Sequence, residues 1–108
     1  MKKLILAVSL VASAGVLSNT ASADEIALAK KSGCFACHAI DKKVVGPSWK
    51  AVAERYKGKD AKAELISKVK SGGKGSWTEV TRGVPMPPYS PRVSDANIEK
   101  LVDFILAL

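Results

Sequence analysis

The chain has 108 residues, 47% hydrophobic and 25% charged, and its 17 Lys and Arg against 10 Asp and Glu give a net charge of +7. That length holds one domain and excludes a TIM barrel or a doubly wound dinucleotide fold, while the hydrophobic share excludes both a disordered polyelectrolyte and a multi-span membrane protein. With two cysteines and one histidine, neither a framework of several disulfides nor a four-ligand Cys/His zinc site can be built.

Residues 1–23 read as a secretory signal peptide. Met1-Lys2-Lys3 is a positive start, and Leu4 to Leu17 is a fourteen-residue run whose only polar members are Ser9 and Ser13. Ala21-Ser22-Ala23 then offers small side chains ahead of Asp24, as a signal peptidase requires. A retained membrane anchor is the rival reading, but fourteen helical residues span only about 21 Å against a hydrocarbon core of about 30 Å. Cleavage leaves one domain, residues 24–108, with fifteen basic and ten acidic residues, a net charge of +5. Its 85 residues approach the size at which an apolar core alone is marginal, so a staple is expected.

The elements predicted in chain order are helical. Glu25 to Lys31 forms a short helix, capped by Asp24 and stopped by Gly33. Ser48 caps a second helix whose Trp49, Val52, Ala53 and Tyr56 share one face, closed by Gly58. Asp60 caps a third, aligning Ala61, Leu65, Ile66 and Val69 ahead of Gly72-Gly73. Gly72 to Val93 is irregular and rich in Gly and Pro, a length of loop that in a small domain is usually functional. Ser94 caps a fourth helix, with Ile98, Leu101, Val102 and Ile105 on one face. No alternating strand pattern occurs.

Between the first two helices stands Cys34-Phe35-Ala36-Cys37-His38. C-x-x-C-H is the attachment signature of c-type haem: two thiols spaced to add across two vinyl groups, then an imidazole for the iron. A thiol–disulfide oxidoreductase also uses C-x-x-C, but on a βαβ-containing fold that this pattern lacks. A zinc site would need a ligand beyond Cys34, Cys37 and His38. Counting sharpens the ligand set. His38 is the sole histidine, and once Met1 leaves with the signal, Met86 is the sole thioether. Met86 sits in Val84-Pro85-Met86-Pro87-Pro88 rather than on a helical face. Neighbouring prolines stiffen that loop and lower the entropy lost on holding a weak sulfur–iron bond. His38 and Met86 are therefore the predicted axial ligands.

Across residues 24–108 the chain resembles the small bacterial class I cytochromes c. The likeness rests on Cys34 to Ile40, Val45-Gly46-Pro47, Gly75-Ser76-Trp77, Pro85-Met86-Pro87-Pro88 and the Ser94-Asp95 helix start. It implies an all-α, small cytochrome c fold of about four short helices wrapped around one covalently attached haem, with the first and last helices crossing. It also implies that the Pro47 carbonyl accepts a hydrogen bond from His38 Nδ1, that the Trp77 indole reaches a haem propionate, and that Lys68 lies nearby. Residues 78–83 make the segment before Val84 longer than in close relatives, so Arg82 could replace Trp77 or Lys68.

The resemblance implies a periplasmic one-electron carrier, not an enzyme, shuttling between respiratory-chain donors and a terminal reductase or oxidase. Two alternatives stand beside it: a haem-based gas or ligand sensor, and a fixed electron-transfer subunit of a larger complex. Lys30, Lys31, Lys42, Lys43, Lys57, Lys59, Lys62 and Lys74 could form a basic face around the haem edge that steers the carrier to an acidic redox partner. The carrier is expected to be monomeric, with no membrane span after cleavage. Nucleic acid is excluded as a partner by export and by the lack of any recognition motif.

Overall fold

The computed structural model describes residues 19–108, so the apolar run from Leu4 to Leu17 lies outside the described residues. The helices are α1 (Asn19–Ser32), α2 (Trp49–Tyr56), α3 (Lys62–Ser71), α4 (Thr78–Thr81) and α5 (Asp95–Leu106), with a single 3-10 turn at Cys34–Ala36. Among the described residues there is no strand, only two isolated β-bridges, His38 with Lys43 and Gly73 with Met86. The fold is helical, as the class I resemblance implies.

Two of the predicted caps are in place. Ser48 Oγ accepts from Ala51 N at 3.1 Å and Ser94 Oγ accepts from Asn97 N at 3.2 Å, each satisfying an amide that the first helical turn leaves without a partner. Gly33 ends α1 with φ 87°, a left-handed conformation that favours a residue without Cβ. Three expectations are corrected. α1 begins upstream of Asp24, because Ala21-Ser22-Ala23 contains no helix breaker and Asp24 is drawn into the helix instead of capping it. Asp60 makes no capping bond; Ala61 holds the N-cap position, nearly fully buried, so packing sets where α3 starts. The stretch between α3 and α5 is not wholly irregular, since it winds into the one-turn α4 and closes on Arg82 at φ 54°.

Helix α5 is the spine and packs against α1, α2 and α3. Its neighbouring residues Leu101 and Val102 serve two different apolar clusters. Leu101 joins Ala29 of α1 and Trp49 of α2, with Phe35, Ile40 and Phe104 packed around them. Val102 and Ile98 join Tyr89 and Val93, with Leu65, Ile66, Val69 and Met86 alongside. One cluster carries the Cys34–His38 segment and the other carries Met86. A cavity opens between them.

Candidate haem site

His38 is held by its own neighbourhood in sequence. Cys37 O accepts from Gly46 N at 2.7 Å and from Val45 N at 3.2 Å, while Trp49 N and Lys50 N donate to Ala39 O and Ile40 O at 2.9 Å. These bonds fold residues 37–50 into a tight loop that presents the imidazole. His38 Nδ1 lies 2.8 Å from the Pro47 carbonyl oxygen. A carbonyl only accepts, so Nδ1 bears the proton and Nε2 keeps its lone pair. Gly46 is buried against the ring, and a Cβ there would meet His38 Cε1 at 2.6 Å. Burial holds the His38 pKa below its ordinary value, with the Pro47 bond opposing, so the ring is neutral at pH 7, the form that binds a metal.

Met86 is held by distant sequence. Met86 N donates to Gly73 O at 3.0 Å and Gly73 N returns to Met86 O at 2.8 Å. Tyr89 N and Ser90 N then donate to Val69 O and Lys70 O of α3 at 3.1 and 3.3 Å. The proline-rich loop is thus stapled along the end of α3. Gly72, at φ 69°, makes this approach possible, because a Cβ there would run into the Met86 carbonyl and come within 2.8 Å of Pro87 C.

The cavity between these two walls has an empty volume of about 1210 Å³ counting its open mouth, with a predominantly apolar lining. Cys34, Cys37, His38, Pro47, Lys68, Trp77 and Met86 all line it. Cys34 and Cys37 are not joined in a disulfide. Burial raises the Cys34 pKa above the ordinary thiol value, and a local backbone hydrogen bond and the charge of Arg92 offset this only in part. A protonated thiol of that kind is unlike the acidic thiolate of a dithiol oxidoreductase. No group of three or more His, Cys, Asp or Glu able to hold a metal occurs among the described residues. The donor set fits a haem: two paired thiols, a neutral imidazole and a thioether around one apolar slot.

Several of the other expected residues take different places. Arg82 is exposed and off the cavity wall, because its left-handed turn at the end of α4 carries it away. Lys62 pairs with Glu99 at 2.9 Å and Asp103 at 3.0 Å on α5, which raises its pKa and ties it to the α3–α5 contact instead of a basic rim. Lys74 lines the cavity, whereas Lys30, Lys31, Lys42, Lys43, Lys57 and Lys59 are exposed and outside its lining. Lys68 Nζ donates to Gly72 O at 3.3 Å beside the cavity. Tyr56 and Tyr89 also line the site; Tyr56 was visible in the sequence only as a core position of α2, and Tyr89 carried no signal there.

The cytochrome c family pattern matches residues 26–108. Cytochrome c-551 of Allochromatium vinosum is 45% identical over 86 residues, covering 78% of this chain and 85% of that protein. Cytochrome c-552 of Nitrosomonas europaea is 45% identical over 98 residues, covering 90% of this chain and 89% of its own length. The crystal structure of wild-type Nitrosomonas europaea cytochrome c552 aligns with a TM-score of 0.68 at 44% identity, covering 77% of this chain and 98% of that one.

Proposed function

This chain belongs to the cytochrome c family, with one covalently bound c-type haem and the function of an electron carrier, and we propose that His38 and Met86 would ligate the haem iron and that the protein works as a periplasmic shuttle between redox proteins. The observation that supports this most is the convergence of both thiols, the single imidazole and the only thioether of residues 24–108 on one apolar cavity.

When bound, the haem iron supplies a one-electron ferric/ferrous couple. The chain supplies the rest. Cys34 and Cys37 would hold the haem covalently as thioethers. His38 donates from Nδ1 to the Pro47 carbonyl, which fixes the ring and strengthens Nε2 as a donor. Met86, on a loop stiffened by three prolines and two backbone bonds to Gly73, would offer its sulfur to the iron without a large entropic cost. A thioether would favour the reduced iron, and an imidazole and a thioether both bound would keep substrate off it. That ligand set suits a carrier and not an enzyme with its own turnover. Trp77 and Lys68 line the cavity, and in this reading they would meet the haem propionates. No helix of the described residues is long and apolar enough to cross a membrane. Export is assigned to residues 1–23, and sequencing of the secreted protein should begin at Asp24.

The test is the visible spectrum of holoprotein matured in a host that attaches c-type haem. The oxidised protein should show the weak red-edge Met–iron band, and Met86→Ala should abolish it while opening the iron to carbon monoxide. Ready binding of carbon monoxide by the unaltered protein at neutral pH would favour the ligand-sensor reading instead.

A further inference from the structure

Arg55 lies on α2 one residue before Tyr56, outside the cavity lining and outside every motif in the sequence. Its guanidinium makes three contacts, all on residues 76–79. Nη1 donates to the Ser76 carbonyl at 2.9 Å, Nη2 pairs with the Glu79 carboxylate, and Cζ stands 3.3 Å over the Trp77 ring centroid. Tyr56 Oη lies 3.5 Å from Ser76 Oγ and reinforces the same attachment. Only a planar fork does all three at once: two N–H groups in its plane serve the carbonyl and the carboxylate, while its flat face stacks on the indole. Ser76 and Trp77 line the cavity, so the charge is held one layer behind the wall.

We propose that Arg55 is a positioning residue of the electron-transfer site, which seats the Trp77 indole against the cavity and holds behind it a fixed positive charge that favours the reduced state. The inference rests on the reading above, in which this cavity holds the haem. A cation stabilises whichever state carries one more electron, and the Glu79 carboxylate opposes it. Arg55 and Glu79 therefore act on the reduction potential with opposite signs. The Arg55 side chain is 34% exposed, so salt screens the effect in part, and it grows as ionic strength falls.

The test compares holoprotein variants by potentiometric titration and by tryptophan emission, which a nearby haem quenches. Arg55→Met should lower the potential and raise the emission severalfold, and the rise should be absent when Trp77→Phe is added. Glu79→Gln should raise the potential. Arg55→Lys should hold the potential near the parent's, because the charge survives, and still raise the emission, because the fork is lost. Unchanged potential and emission in Arg55→Met, with only a lower unfolding midpoint, would make Arg55 a structural tie and overturn the proposal. Shifts of the same sign in Arg55→Met and Glu79→Gln would overturn it equally. If Arg55→Met yields no folded holoprotein, the emission of Arg55→Lys and the potential of Glu79→Gln carry the same two readouts. A parent protein without attached haem, or without its red-edge band, would sink the reading of the site itself, and that is measured before any variant is made.

Discussion

The wall that carries His38 and the wall that carries Met86 are built by different means. The first is nearly contiguous: residues 34–50 bond to one another, and Trp49 packs on Phe35, His38 and Phe104, with ring centroids 5.1, 6.1 and 6.1 Å away. The second is assembled from afar, since the Met86 loop borrows its bonds from the end of α3 and its approach from Gly72. A locally built wall keeps its ligand as long as its own few residues are folded. A remotely built wall loses its ligand when any of its anchors moves. The His38 side should therefore fail together with the fold, and the Met86 side should fail alone.

The largest break is expected from Trp49→Ala. Trp49 is 3% exposed at the centre of the first wall, and truncating a buried Trp costs about 3–5 kcal/mol. In a domain of this size the expected result is loss of holoprotein, read as haem yield and as a collapsed urea midpoint. Holoprotein in normal yield, with its red-edge band absent, would contradict the assignment of Trp49 to the His38 side.

The two glycines sharpen the contrast at a smaller cost. Gly46→Ala would drive a Cβ into the half-buried imidazole and Gly72→Ala into the Met86 carbonyl, each an overpacking cost of about 1–3 kcal/mol, with left-handed strain added at Gly72. Gly46→Ala should turn the ring off the Pro47 carbonyl and reduce the yield of haem-bearing protein. Gly72→Ala should keep its haem and lose the Met–iron band, admitting carbon monoxide. Interchanged phenotypes would refute the division of labour between the walls.

Much of the first wall was legible in the sequence because its parts are neighbours. The C-x-x-C-H spacing, the Ser48 cap and the face of Trp49, Val52 and Ala53 are local patterns with local causes. Counting singled out Met86 as the sole thioether of residues 24–108, and its place on the cavity wall came only from the structure. What stayed hidden depends on pairs far apart in the chain. Arg55 meets Glu79 from 24 positions away, and Lys62 meets Asp103 from 41, separations that leave no periodic trace. Asp60 misled because a cap residue is only an offer, and the burial of Ala61 decided where α3 began. The one-turn α4 is too short to show periodicity at all, and the turn after it is what removed Arg82 from the wall.

Arg92 joins the two walls, so its removal should affect both mildly. Its Nη1 donates to the Ser32 carbonyl at the end of α1 at 3.2 Å, and its Cζ lies 4.8 Å over the Tyr89 ring. Losing one charged hydrogen bond and one cation–π contact amounts to roughly 2 kcal/mol when the low end of each range is taken for a solvent-exposed Arg. Arg92→Ala should lower the urea midpoint of holoprotein while the visible spectrum stays that of the parent. A spectral change without a stability change would mean that Arg92 acts on Met86 and not between the walls.

The smallest effect distinguishes the walls by their response to acid. The Pro47 bond to His38 is shielded within its wall, whereas the Arg55–Glu79 pair that braces the segment leading to Met86 is open to solvent. Arg55 holds the Glu79 carboxyl below its ordinary value. A carboxylate depressed by folding stabilises the native state fully above its unfolded pKa, about 4.3 for a free Glu, and loses that contribution as pH falls through the lower folded value. The urea midpoint of the parent should therefore exceed that of Glu79→Gln at pH 7, and the gap should close as the solution is acidified toward pH 3. Added salt at pH 7 should narrow the same gap, because both partners are solvent-accessible. A gap that survives acid and salt unchanged would show that Glu79 contributes through packing, and the remote wall would then have no electrostatic brace at all.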